Sequence, residues 1–176
     1  MIPEGMSYCH AAFAETASAV IACQDRLSVS LGDTVVIIGD GPVGCLHAEV
    51  ARARGAGGIV MIGMDKLTLA AGFHPDLLLS NRDPEEAVRK VLEFTGGLGA
   101  DFIICAVPSV KPQSHALLMA RKRGTVVIYG GVPAHSEETV LNSNLIHYNE
   151  LTVTGAFSYP ATGLAAALLA IHSGKI

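Results

Sequence analysis

Apolar and polar residues follow one another along the chain in blocks of two kinds. Short runs that are apolar throughout are typical of parallel strands, which are covered on both faces. Longer stretches with apolar residues at helical spacing are typical of helices that pack on such a sheet. The apolar runs predict six strands, at 34–39, 59–63, 76–80, 101–107, 125–131 and 151–157. The longer stretches predict helices at 7–27, 42–54, 65–72, 84–95, 111–124 and 163–173.

Several of these helices carry boundary signals. Asp83 is a predicted N-cap, Pro84 stands at the first helical position, and Gly96 ends the same helix. Asp65 is predicted to cap the short helix after the second strand. The helix after the fourth strand is predicted to continue as far as Gly124.

Strands that alternate with helices indicate right-handed βαβ units and a parallel sheet. Six strands with a glycine-rich first turn predict an α/β fold with a doubly wound parallel six-stranded sheet. This is the Rossmann dinucleotide-binding fold, with strand order 3-2-1-4-5-6. The sequence contains no internal repeat and no low-complexity tract, so one domain accounts for the pattern.

Composition narrows the class of protein. The net charge of −4 and the absence of a basic run argue against a nucleic-acid partner. The longest apolar runs are too short to cross a bilayer, and the N-terminus lacks the pattern of a signal peptide. The four cysteines include no CxxC pair, which favours reduced thiols rather than a metal site. We therefore expect a cytoplasmic protein without a membrane partner.

A glycine motif follows the first predicted strand and leads into a predicted helix. Gly39, Gly41 and Gly44 have the spacing GxGxxG, with Pro42 and Val43 before the last glycine. In such a motif the first glycine forms a tight turn, the second lets a pyrophosphate approach, and the third lets the helix pack closely. The helix N-terminus then offers free N–H groups to the phosphates. The motif therefore predicts a dinucleotide site.

The end of the second strand leaves the choice between NAD and NADP open. Gly63 stands where dinucleotide-binding proteins usually offer an acid to the ribose, and its lack of a side chain tilts the choice towards NADP. Lys66 is the nearest cation for a 2′-phosphate, whereas Asp65 could repel that phosphate or hold the ribose. Asp40, inside the glycine motif, must direct its carboxylate away from the phosphates.

Four segments resemble the medium-chain dehydrogenase/reductase family, in particular its zinc-dependent alcohol and polyol branch, similar to sorbitol and threonine dehydrogenases. The first is AAFAETASAVIACQDRLSVSLGDTVVIIGDGPVGCLHAEVARARGAGGIVMIG, at 11–63. The others are FTGGLGADFIICAV, RGTVVIYGGVP and HYNELTVTGAFSY. The resemblance implies hydride transfer between a secondary alcohol or polyol and a nicotinamide cofactor.

The resemblance also implies a domain plan. Family members carry an N-terminal catalytic domain that supplies the zinc ligands, and no such domain is present in this sequence. We therefore expect 1–27 to be a leading segment and helix that joins such a domain, and 28–176 to be the dinucleotide-binding domain. Zinc is expected only together with the catalytic domain. The chain alone is expected to bind cofactor without turnover.

Individual residues take roles from the same resemblance. Glu15, in AFAETAS, matches a family glutamate that lies close to the catalytic zinc. Val107 and the segment Gly130, Gly131 and Val132 follow the fourth and fifth strands, where main-chain groups would hold the nicotinamide. The edge of the sixth strand is expected to form a homodimer contact.

Two other functions remain open at this point. A zinc-free quinone or enoyl reductase that uses NADPH would suit Gly63, but Glu15 favours the zinc-dependent branch. A non-catalytic nucleotide-binding module, such as a sensor or a methyltransferase-like domain, would use a related glycine loop. The six-strand pattern with GxGxxG favours a dinucleotide over S-adenosylmethionine.

Overall fold

The structure of the protein is a computed structural model that describes residues 1–176. The strands are β1 (Thr34–Ile38), β2 (Gly58–Gly63), β3 (Leu77–Ser80), β4 (Ala100–Cys105), β5 (Ala120–Ile128) and β6 (Thr152–Gly155). The helices are α1 (Tyr8–Leu27), α2 (Pro42–Ala53), α3 (Leu67–Ala71), α4 (Pro84–Phe94), α5 (Lys111–Met119), α6 (Ser143–Tyr148) and α7 (Gly163–His172). None of the helices combines the length and the apolar character needed to cross a membrane.

The six strands form one parallel sheet in the order β3-β2-β1-β4-β5-β6. The predicted fold and strand order are therefore confirmed. The chain builds outward from β1 to β3 and then returns to the other side of β1 to form β4. Because the strand order reverses between β1 and β4, a crevice opens at the carboxyl ends of these two strands.

Helices cover both faces of the sheet. On one face, α4 and α5 contribute Ala87, Val91, Ala116 and Leu117 to a core with the strand residues that face them. On the other face, α1 and α2 pack over the opposite side chains of β1 and β2. All strand residues of β2 are buried, as its unbroken apolar sequence predicts.

The first and last helices pack against each other. Ala14 and Ala17 of α1 form a small apolar cluster with Ala167 and Leu168 of α7, and all four residues are buried. Three of the four are alanines, so the two helix backbones can approach closely. Cys23 of α1 lies in the core on the sheet as well, so the leading helix is part of the same packed body as the sheet.

Two boundary predictions are wrong. The helix predicted to reach Gly124 ends at Met119, because Ala120 already pairs with Ala100 as the first residue of β5. The main chain then bends at Arg123, which has a φ of 63° and donates its N–H to a carbonyl outside the strand. Pairing with the neighbouring strand has overridden the helical pattern of this segment.

Asp65 does not cap α3. That helix begins at Leu67, and the residue at its N-cap position is Lys66, whose side chain accepts no capping hydrogen bond. The Lys66 N–H is bonded instead to the carboxylate of Asp40, which sets where the helix starts. Asp65 lies in the preceding bend and pairs with Arg82 at 3.5 Å.

Candidate functional site

The glycine motif forms a turn in which the strand and the helix almost touch. A Cβ atom added to Gly44 would lie 2.1 Å from the carbonyl oxygen of Gly39, which no side chain allows. Gly39 itself has a φ of 142°, and its N–H donates to the carbonyl of Ile62 at 2.8 Å. The turn is therefore fixed to the end of β2 and brings the start of α2 to the crevice.

The N-terminus of α2 offers unused hydrogen-bond donors. Gly41 occupies the N-cap position and Pro42 the first helical position, and no side chain caps the helix. The N–H groups of Val43 and Gly44 have no acceptor within the protein. A Cβ atom on Gly41 would meet nothing within 4 Å, so the space beside the N-cap residue is open. Free amides at a helix N-terminus facing open space fit the pyrophosphate of a dinucleotide.

A cavity of about 570 Å³ opens at the carboxyl ends of β1, β2 and β4. Four of the residues that the sequence predicts for the cofactor line it, namely Gly39, Gly63, Asp65 and Val107. Its far wall is formed by polar residues that follow β3 and β4, including Asn81, Ser109, Lys111 and His115. Of these, Asn81, Lys111 and His115 were not predicted, although they too follow strands of the parallel sheet and so lie at the same edge.

At this edge the side chain of Asp40 lies where a side chain of residue 63 would otherwise be. A Cβ atom on Gly63 would lie 2.3 Å from the Cβ and 2.4 Å from the Cγ of Asp40. The Asp40 carboxylate turns to the end of β2, where its Oδ2 accepts hydrogen bonds from the N–H groups of Met64 at 2.8 Å and Lys66 at 2.6 Å. The side chain of Asp40 therefore fills the volume that Gly63 leaves empty.

A second cavity, of about 420 Å³, lies on the other side of the glycine turn, beside β5. It brings together Glu15 from α1, Val43 from α2, and Gly130 and Gly131 after β5. Tyr129 lines it as well, and burial raises the pKa of its hydroxyl to about 12, so it remains protonated at neutral pH. Residues predicted from the resemblance, Glu15 and the Gly130–Gly131 segment, thus share one cavity with Val43 of the glycine motif.

The remaining predicted residues line neither cavity. They are Gly41, Pro42, Gly44, Lys66 and Val132. The first three form the turn between the two cavities. Lys66 is exposed, and its contact with the site is made by its main-chain N–H rather than its ammonium group.

Beneath the glycine turn lies a buried polar pair. Gln24 and His47 are fully buried, and burial lowers the pKa of His47 to about 3. The imidazole is therefore neutral at physiological pH and meets the ring of Tyr129 edge-on, with ring centroids 4.5 Å apart. This pair supports the position of α2 from below and does not line either cavity.

The structure contains no group of three or more His, Cys, Asp or Glu side chains arranged to hold a metal ion. Glu15 is the one side chain of these types that lines the second cavity. A catalytic zinc ion takes three protein ligands, so the residues of this chain do not by themselves fit a zinc site.

The protein family of this chain is identified by its similarity to known proteins. The family model described as zinc-binding dehydrogenase matches residues 42–172, which is most of the chain. The chain belongs to this family, and the resemblance to zinc-dependent alcohol and polyol dehydrogenases is confirmed. It corresponds to the nucleotide-binding portion of those proteins.

Curated relatives include sugar-alcohol dehydrogenases. An erythritol/L-threitol dehydrogenase of Mycolicibacterium smegmatis is 34% identical over 169 residues, covering 95% of this chain and 46% of its own length. A sorbitol dehydrogenase of Bacillus subtilis is 30% identical over 163 residues, covering 92% of this chain and 46% of its own. The chain therefore spans about half the length of the curated relatives it matches.

Solved structures give the same picture. An alcohol dehydrogenase from a Thermus species is 30% identical, with a TM-score of 0.86 over 99% of this chain and 50% of its own. A zinc-binding dehydrogenase from Sinorhizobium meliloti, solved bound to NADP, is 25% identical, with a TM-score of 0.87 over 99% of this chain and 52% of its own.

Proposed function

We propose that this chain is the cofactor-binding part of an NAD(P)-dependent alcohol or polyol dehydrogenase. The observation that carries the proposal is the uncapped N-terminus of α2 between two cavities, where the N–H groups of Val43 and Gly44 have no acceptor and the space beside Gly41 is open. We assign the adenosine to the first cavity, at the end of β2, and call it the adenosine cavity. The nicotinamide is assigned to the second cavity, beside β5, which we call the nicotinamide cavity. Two such sites are expected on either side of the switch point of a doubly wound sheet.

The relatives support the class of substrate. Curated relatives that match nearly all of this chain act on erythritol, L-threitol and sorbitol according to their names. A secondary alcohol of a small polyol is therefore the proposed substrate of the whole protein. The zinc-binding dehydrogenase solved with NADP supports a dinucleotide as the cofactor.

The residues of this chain bind and orient the cofactor. The α2 amides would hold the pyrophosphate, and main-chain groups of Gly130 and Gly131 would hold the nicotinamide amide. Val107 lines the first cavity instead, and Val132 lines neither. A bound nicotinamide cofactor would supply the acceptor for the hydride that leaves the carbinol carbon. Glu15 lines the nicotinamide cavity and would stand beside the reacting atoms. Zinc would require ligands in addition to this carboxylate, so the chain alone is expected to bind cofactor without turnover.

The proposal also covers the oligomeric state of the protein and its location in the cell. β6 forms one edge of the sheet and pairs on its inner side with β5. Its free edge could continue the sheet into a second copy, giving a homodimer. The four free cysteines, three of them buried, support the proposed cytoplasmic location. Sedimentation equilibrium of the chain would test the dimer, and a monomer at all concentrations would contradict it.

Calorimetric titration with NAD and with NADP tests the cofactor role. We expect saturable binding of at least one dinucleotide with a stoichiometry of about one per chain. A Gly41→Val variant is the matched test of the site, because its side chain would project into the open space before the free amides. Binding should be lost while the melting temperature changes little. If the wild-type chain binds neither dinucleotide, the proposed function is wrong.

A further inference from the structure

The adenosine end of the site has an unusual source of negative charge. In dinucleotide-binding folds an acid on the second strand accepts hydrogen bonds from the ribose hydroxyls and disfavours a 2′-phosphate. At that strand end this chain has Gly63, which taken alone favours NADP. The side chain of Asp40, which comes from the glycine motif, lies where a side chain of residue 63 would begin.

The position of this carboxylate is fixed by the main chain. Asp40 Oδ2 accepts two hydrogen bonds, from the N–H groups of Met64 and Lys66 just beyond β2. Its second oxygen, Oδ1, accepts none from the protein. Asp40 also lines the adenosine cavity. One oxygen thus holds the side chain in place, and the other remains available to a hydroxyl group of a ligand.

We propose that Asp40 replaces the missing acid of β2 and selects NAD over NADP. Its ionised carboxylate would accept a hydrogen bond from the ribose and would repel a 2′-phosphate. The inference rests on the proposed function, since it concerns the same cofactor site. It reverses the preference that Gly63 alone suggests, because Gly63 here makes room for Asp40 rather than for a phosphate.

The surrounding charges do not offset this repulsion. Asp65 lines the same cavity and adds a second carboxylate, which is paired with Arg82 at 3.5 Å. Lys66 contributes its N–H to Asp40 and its ammonium group does not line the cavity. Lys111 and His115 lie on the far wall, after β4 rather than β2. The two charged side chains that line the cavity beside residue 63 are therefore both carboxylates, those of Asp40 and Asp65.

The first test compares ADP-ribose with its 2′-phosphorylated counterpart by calorimetric titration. These probes lack the nicotinamide and differ only at the ribose, so their affinity ratio reports on this end of the site. We expect the wild-type chain to bind ADP-ribose at least about tenfold more tightly, since a like charge at close range is strongly unfavourable. NAD and NADP should show the same order.

Asp40→Asn removes the charge and keeps an oxygen that can accept from Met64 and Lys66. We expect the ratio of its affinities for ADP-ribose and the 2′-phosphorylated ligand to be about tenfold smaller than in the wild-type chain. Glu85→Gln is the matched control, because it removes the same charge from an exposed residue that lines neither cavity. Its preference should stay within about twofold of wild type. An equal or larger change in Glu85→Gln would overturn the assignment to Asp40.

A reciprocal exchange guards against a variant that only weakens the fold. Gly63→Asp alone should lower the melting temperature, because its side chain would collide with Asp40. Asp40→Ala combined with Gly63→Asp should recover both the melting temperature and the preference for ADP-ribose. Asp40→Ala alone should lose the preference that the double variant regains. If Asp40→Ala binds its ligands with the wild-type preference, the inference fails.

The possible failures are distinguishable. A wild-type chain that binds both probes equally, or binds the 2′-phosphorylated one more tightly, overturns the role of Asp40 and leaves the proposed function intact. A wild-type chain that binds none of the four ligands overturns the proposed function and this inference together.

Discussion

Gln24 in α1 donates a hydrogen bond from its Nε2 to the main-chain oxygen of His47 in α2, at 2.8 Å, with both residues fully buried. The same Nε2 lies 3.3 Å from His47 Nδ1. The leading helix is thereby attached to the helix that carries the free amides of the proposed pyrophosphate site. The imidazole has no room for a water shell or a counter-charge, which makes its protonation costly.

Acidification should destabilise the fold through His47. Burial lowers the pKa of this imidazole from 6.5 to about 3, so between these values the unfolded chain binds a proton that the folded chain does not. The free energy of unfolding should therefore fall with decreasing pH, by up to about 1.4 kcal/mol per pH unit below about pH 6. Urea unfolding at several pH values measures this slope.

His47→Gln is the control for that slope. A glutamine can still accept from Gln24 and has no proton to gain in this range. The variant should be less stable than wild type near neutral pH but lose less stability on acidification. An identical slope in the variant and the wild type would show that His47 does not account for the pH dependence.

Gly44→Ala and Gly41→Ala should separate folding from binding. The new Cβ at residue 44 would meet the carbonyl of Gly39 at 2.1 Å, so we expect a loss of about 2–3 kcal/mol of stability. At residue 41 the Cβ meets nothing within 4 Å, and the stability should stay within about 0.5 kcal/mol of wild type. Gly41→Ala should instead weaken binding of NAD. Chemical denaturation and titration calorimetry check both, and equal stabilities of the two variants would contradict the turn geometry.

Only one of the four cysteines should react readily in the native protein. Cys9 is exposed, whereas the other three are buried. Burial raises the pKa of Cys23 to about 11 and that of Cys105 to about 12, so neither forms a thiolate near neutral pH. An aromatic disulfide reagent should label one thiol rapidly in buffer and four in denaturant. The rapid phase should vanish in Cys9→Ser, and its survival there would mean that a buried thiol is accessible.

The cap of α4 can be tested by two substitutions at one position. Asp83 accepts a hydrogen bond from the Glu86 N–H at 3.0 Å. Asp83→Ala should lower the free energy of unfolding by about 1 kcal/mol, whereas Asp83→Asn keeps the cap and should cost much less. Guanidinium unfolding curves give both values. Equal losses would indicate that charge at the helix N-terminus, rather than the hydrogen bond, is what matters.

The strands and their order were predictable because each strand is a continuous apolar run between helical stretches. The Asp83 cap was predictable as well, since a cap depends only on residues three or four positions apart. The end of α5 was not, because it depends on Ala120 pairing with Ala100, a residue far away in the sequence. Local helical spacing continues past the point where that pairing begins.

The candidate site shows the same division. The glycine turn follows from its own spacing, and its contacts are local. The relation of Asp40 to Gly63 joins two strand ends that are neighbours only in the sheet. In the sequence, Asp40 is an acid inside the glycine motif, where none is expected, and Gly63 is a glycine where an acid is usual. These two unusual residues could have been noticed in the sequence, but only the fold shows that they lie side by side.

The contact between α1 and α7 has a consequence for synthesis on the ribosome. These are the first and last helices of the chain, and each covers part of the apolar surface of the other. The whole sheet must therefore be translated between α1 and α7 before the face of α1 with Ala14 and Ala17 can be covered. That strip stays exposed on the nascent chain during this interval, when chaperones can bind it.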